Sequence, residues 1–187
     1  MKTINSRILG IFFGTFLAIA FFGSSQAQIK PWTAISGGAQ RFQVLDSFGG
    51  TAVLDRETGL IWTKLPLTNT TAPGLQNMLD WQFAYETCLG QAVGPGIFSF
   101  GWRLPKVEEL MSLKVGSVAG PDDTDLPLGH PFLNVLNSSV QTYWSSTTVP
   151  NNAAQAYAVH MNFNFDGPTA FEKSSTRGVW CVRGGSN

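Results

Sequence analysis

Three aspartates, Asp122, Asp123 and Asp125, crowd into one short polar stretch, and His130 follows them. Carboxylates at that density could supply some of the about six to eight oxygens that calcium takes from carboxylates, carbonyls and water. The spacing DDTD does not follow an EF-hand loop, so a merely solvated acidic loop is the alternative, and no metal can be named. Trp144 closes the same region with a ring that could stack on a sugar or fill the core. Glu108 and Glu109 are adjacent, hence roughly 100° apart around a helix, a poor arrangement for an acid/base pair sharing one substrate. Neither His130 nor His160 has a nucleophile or ligand triad nearby in sequence, and both are expected at the surface or in loops. The chain carries no GxSxG elbow, HExxH helix, glycine-rich phosphate loop or nucleotide fingerprint. A protein that is not an enzyme, with no catalytic residue, is the expectation.

The two cysteines, Cys88 and Cys181, are the remaining reactive groups. In an oxidising compartment they are expected to pair, tying an early helix to the last strand. Two free thiols or metal ligands are the alternative, although zinc would want further Cys or His at short spacing.

These residues must be positioned by the elements between them. Val53-Leu54 and Leu60-Ile61-Trp62 flank a polar DRETG turn, the pattern of a hairpin with Gly59 free to take a positive φ. From Leu79 to Leu89, the residues Trp81, Ala84, Tyr85, Cys88 and Leu89 repeat at helical spacing and predict a stripe facing the core. Asp80 is placed to cap that helix and Gly90 to end it. A second helix is predicted from Pro105 to about Lys114, with Val107, Leu110, Met111 and Lys114 on one face. Gly116 to Ser139 is a long polar excursion, and such loops are usually functional or mobile. Gln155 to Phe163 alternates strictly and predicts a strand with one apolar and one polar face; Thr169 to Phe171 and Val179 to Arg183 predict shorter strands. Two short helices followed by antiparallel strands make an α+β fold.

The first residues have the form of a secretory signal: Lys2 and Arg7, an apolar run from Ile8 to Phe22, then Ser25-Gln26-Ala27. The run is shorter than the ~20 residues a spanning helix needs, so residues 1–27 are expected to be a cleaved signal peptide, leaving no stable membrane span. Without Lys2 and Arg7, ten Lys+Arg face twelve Asp+Glu. That mild negative balance, with no run of cations, argues against nucleic acid as a partner. Residues 28–50 predict a lead-in, loose from Gln28 to Gln40 and with a short apolar piece at Phe42 to Leu45, and residues 51–187 a single domain.

The segments TGLIWTK (Thr58 to Lys64), WQFAYETCL (Trp81 to Leu89), GWRLPKVEELMSL (Gly101 to Leu113), YWSSTT (Tyr143 to Thr148) and VWCVRGG (Val179 to Gly185) together resemble the DUF1566 family. This is also known as the C-terminal domain of the Legionella collagen-like protein, Lcl. The resemblance implies a C-type-lectin-like fold, similar also to the formylglycine-generating, sulfatase-modifying domain. It implies a disulfide from the first helix to the final strand, which Cys88 and Cys181 match. It also implies adhesion and glycan binding as the functional class, although no collagen-like stalk precedes the domain.

The expected function is an exported, periplasmic or extracellular binding and adhesion module that recognises a glycan or a cell-surface protein through the 116–152 loop region. Asp122, Asp123, Asp125, His130 and Trp144 are its candidate ligand-binding residues; no cofactor is expected unless calcium organises the acidic loop. A copper- or thiol-dependent oxidase using Cys88 and Cys181, and a structural subunit of an envelope assembly, are the alternatives.

Overall fold

In the computed structural model, which describes residues 37–67, 78–90, 100–116, 124–135, 141–162, 164 and 167–184, the hairpin around Gly59 forms as its composition predicts. Strand β2 (Ala52–Asp55) pairs antiparallel with β3 (Ile61–Thr63), and Gly59 turns the chain with φ 74°, a conformation a side chain would strain. The signal stretch 1–27 and the aspartates Asp122 and Asp123 lie outside the described residues, as does the first part of the lead-in.

The later part of the lead-in is folded. Gly38–Arg41 forms a single helical turn, α1, and Phe42–Leu45 forms β1, which pairs with β2 and makes one edge of a five-stranded antiparallel sheet. The sheet continues through β3 and β8 (Val182–Arg183) to β4 (Trp102–Arg103). A second sheet contains β5 (Tyr143–Val149), β6 (Asn152–Val159) and β7 (Pro168–Glu172). Asn151, in the left-handed conformation, makes the turn between β5 and β6. The fold is α+β as expected, with three short helices instead of two.

Helix α2 (Trp81–Leu89) begins where the side chain of Asp80 accepts the N–H of Phe83 at 2.9 Å, the N-cap arrangement that satisfies an otherwise orphaned donor. Its buried face is narrower than the periodicity suggests. Only Ala84 and Cys88 are buried, while Tyr85 and Leu89 from the predicted stripe face solvent. The helix lies on the fold through one i, i+4 seam, and Cys88 in that seam bonds Cys181, beside β8.

Helix α3 (Val107–Ser112) is shorter than predicted. Its N-cap is Lys106, so Pro105 stands before the helix and not in its first turn. The carbonyl of Pro105 instead accepts the N–H of Ser146 at 2.7 Å, and Thr147 receives the N–H of Val107 at 3.0 Å. GWRLPKVEELMSL is therefore a junction: one strand in the first sheet, a linker bonded to the second, and a helix whose Leu110 is buried.

Two apolar clusters fill the interior. One centres on Trp180, with Trp62, Phe132 and Tyr143 around it at ring-centroid distances of 4.9 to 5.6 Å. The other contains Trp102, Trp144, Ala156, Ala158 and the disulfide. Strand β6 and the residues just after it serve both, since Ala158 belongs to the second and Val159 and Met161 to the first. This explains why the predicted polar face is absent, and His160 is buried, not exposed.

Candidate functional site

The described part of the long excursion, 124–135, is bound down from within. Leu126 and Phe132 enter the first core cluster. Asp125 is fully buried, and its carboxylate is engaged from two sides. Oδ1 accepts the N–H of Gly116 at 2.7 Å, and Oδ2 pairs with the ammonium of Lys114 at 3.0 Å. The backbone of Asp125 donates to Met161 O and accepts from Val115 N. Asp125 thus closes the loop at its base: a carboxylate with this burial and these partners acts as a structural tie.

Lys114, which sequence periodicity placed only as the end of an amphipathic stripe, proves to be the charge at the centre of this base. Its Nζ also donates to the carbonyls of His160 at 2.9 Å and Asn162 at 3.1 Å. Burial first, then the positive charge of Lys114, push the His160 imidazole below its usual pKa; a backbone bond at Gln141 acts in the opposite direction and the charge of Arg177 again lowers it. The sign for stability follows. Folded His160 binds its proton less readily than unfolded His, whose pKa is about 6.5, so the unfolded state carries more protons between the two values. His160 should leave stability intact above about pH 6.5 and lose it as pH falls towards the depressed folded value. Urea midpoints measured from pH 8 to pH 5 should fall at the acid end in the native chain and fall less in His160→Gln.

Over this base opens a cleft of about 410 Å³ lined by Met111, Lys114, Val115, Gly116 and Asp125. Beyond it, the 124–135 segment turns outward. Leu128 is 68% and Leu133 50% exposed, yet the backbone holding them is fixed, with Gly38 N–H on Leu128 O at 2.7 Å and Leu133 N–H on Lys64 O at 3.0 Å. A side chain on Gly38 would collide with the backbone of Pro127 and His130, so α1 and this segment approach as only glycine permits. His130 is half-buried, with its Nε2 3.5 Å from Thr124 Oγ1 and its ring 5.9 Å from that of Phe132. The structure therefore places Asp125 in the lining of the cleft and His130 on the segment that carries the exposed leucines.

Trp144 as a ligand contact is corrected. It is fully buried, and its indole N–H donates to Leu79 O at 2.9 Å, so its ring presents no face to a ligand. Trp62, Trp102 and Trp180 are likewise core residues. Glu109 is taken up by Arg103 in a two-pronged pair at 2.6 and 2.7 Å, with a further bond from the Lys106 N–H; Glu108 faces solvent. The bond with Glu109 raises the Arg103 pKa against its burial.

An aromatic and cationic stack that the sequence did not announce lies on α2 and the second sheet. Lys173 Nζ sits 4.1 Å above the Trp81 ring, which stacks at 5.6 Å on Tyr85, while Arg177 lies 3.9 Å from the Phe171 ring centre. Such contacts add modestly to stability, by about 0.5 to 2 kcal/mol each. Nothing in local periodicity pairs a residue of α2 with one just past β7, so only the tertiary fold reveals them.

Among the described residues, no helix is long and apolar enough to cross a membrane, and no group of three or more His, Cys, Asp or Glu could hold a metal ion. The sulfurs are bonded to each other, a state that persists in oxidising compartments. No curated protein matches the chain. The family model of the Lcl C-terminal domain matches residues 51–183, a span holding the hairpin, both longer helices, the second sheet and the disulfide. The chain belongs to the Lcl C-terminal domain family.

Proposed function

We propose that this chain is an exported, non-enzymatic adhesion module that holds a partner surface against the 116–152 region. The observation that carries this is the 124–135 segment: pinned at its base by Asp125, Leu126 and Phe132 while offering Leu128 and Leu133 to solvent. Apolar side chains carried on a fixed backbone lower the ordering cost of association. Their chemistry favours a protein surface over a sugar, since a sugar would want an exposed aromatic ring and Trp144 is buried. The N-terminal signal-like stretch and the disulfide support export, to the periplasm or beyond the cell. The thiol-oxidase alternative needs a reactive thiol pair, and the bond between Cys88 and Cys181 supports a staple instead.

The test uses the purified chain on immobilised glycans and on intact cells, before and after protease treatment of the cells. Binding to untreated cells should weaken at least about tenfold, some 1.4 kcal/mol, in Leu128→Asp/Leu133→Asp, a variant whose changed side chains lie outside the core. Protease treatment should abolish it. Retention on treated cells together with glycan-array signal would assign a glycan, and absence of any binding, or full binding by the variant, would refute the loop as the contact surface.

A further inference from the structure

The ammonium of Lys114 has among its partners three oxygens, Asp125 Oδ2 at 3.0 Å, His160 O at 2.9 Å and Asn162 O at 3.1 Å. One carboxylate and two backbone carbonyls converging on a point, at the edge of an open cleft, are the donor types that hard divalent cations take, with waters completing the shell. Here the point is filled by a side chain. The lysine follows directly on α3, whose buried Val107 and Leu110 fix the helix against the core, and its N–H donors suit acceptors of this kind. Lys114 and Asp125 have side chains 5% and 0% exposed, so their charges are held where an unpaired partner would be costly.

We infer that these three oxygens form a cation site for which Lys114 is the tethered, resident cation, and that the loop base is organised without a divalent ion. Repulsion by the ammonium excludes a second cation from the same point. The aspartates that suggested calcium from sequence are thereby given a different role at the one position described: Asp125 neutralises a lysine. The consequence that partner capture needs no divalent ion rests on the adhesion function proposed above; the site itself does not.

The measurements are thermal unfolding and amide hydrogen exchange at Gly116 and Asp125, with calcium chloride alone or with EDTA, on the full chain without any partner. The native chain should respond to neither reagent. Lys114→Ala should melt lower by roughly 6 to 20 °C, exchange faster at both amides, and recover part of each loss in millimolar calcium. Lys114→Ala/Asp125→Asn should show no recovery. If Lys114→Ala folds only when refolded with calcium, the inference is equally supported. A native chain stabilised by calcium or weakened by EDTA overturns it, and so does a Lys114→Ala variant indifferent to calcium. Since no partner enters these experiments, a failure of adhesion leaves their outcome untouched, and their failure leaves the adhesion test standing.

Discussion

Replacing both cysteines by alanine is expected to lower the unfolding free energy by about 2 to 5 kcal/mol, with chain entropy alone giving about 4.7 for a closed loop near 100 residues. The bridge spans a sequence separation of 93, so it removes much of the freedom of the unfolded chain. It also does a local job. Helix α2 buries only Ala84 and Cys88 along its length and leaves Phe83, Tyr85 and Leu89 outward, so the bond to Cys181 holds a helix that apolar area alone holds weakly. At nine residues it is also shorter than the ~12 to 15 at which isolated helices become even marginal in water. Urea unfolding of the native chain under reducing conditions should therefore match that of Cys88→Ala/Cys181→Ala, and amide exchange should rise more in 81–89 than in β5 and β6. Unchanged midpoints on reduction would mean that packing and the Asp80 cap suffice without the bond.

That bond was legible because two cysteines admit one pairing, and the family pattern put them on a helix and the last strand. The hairpin at Gly59 and the limits of α2 at Asp80 and Gly90 were legible for another reason. Each depends on residues within a few positions of one another, where turn and cap chemistry act. The errors share an opposite cause. Tyr85 and Leu89 repeat at helical spacing, but spacing does not say how much of a helix its neighbours cover. His160 alternates with apolar residues, yet the chain there lies between two core clusters, so both faces are buried. The lead-in looked loose because Gly37 and Gly38 break any period, whereas Gly38 is there to let α1 touch the backbone of Pro127 and His130.

The candidate site was less legible than the fold. Local composition made Asp125 look like a solvated or ion-binding acid, because acids in polar loops usually are. Its partner Lys114 stands eleven positions earlier, just past the end of α3, and the carbonyls that share the ammonium belong to His160 and Asn162, just past β6. A pairing of this kind is decided by topology. Trp144 was ambiguous for the same reason: a tryptophan after a long loop can face either way until the second sheet is assembled around it.

Asp55→Ala is expected to cost about 3 to 5 kcal/mol, because it strands a buried guanidinium. Arg41 and Asp55 are 3% and 0% exposed, and Arg41 grips the carboxylate with Nε at 2.9 Å and Nη2 at 2.7 Å, the fork geometry in which such pairs are strongest. The carboxylate meanwhile receives the Glu57 N–H and the Thr58 hydroxyl, shaping the hairpin turn. Arg41 Nη2 reaches on to Ser112 O at the end of α3, so one residue joins α1, the β2–β3 turn and the second main helix. Glu57, 3.0 Å from Arg41 Nε, gives the arginine a substitute partner and favours the lower end of the range. Arg41→Met should cost a similar amount, leaving Asp55 buried without its cation. The double variant Arg41→Met/Asp55→Ala should cost less than the two singles together, by at least about 0.5 to 3 kcal/mol of coupling, since neither charge then remains buried alone. Arg41 precedes the matched residues 51–183, so a fragment starting at residue 51 would lose both this pair and edge strand β1, and it should unfold without a cooperative urea transition. Strict additivity of the two substitutions, or a cooperative fragment as stable as the whole chain, would show that the segment before residue 51 is dispensable to the fold.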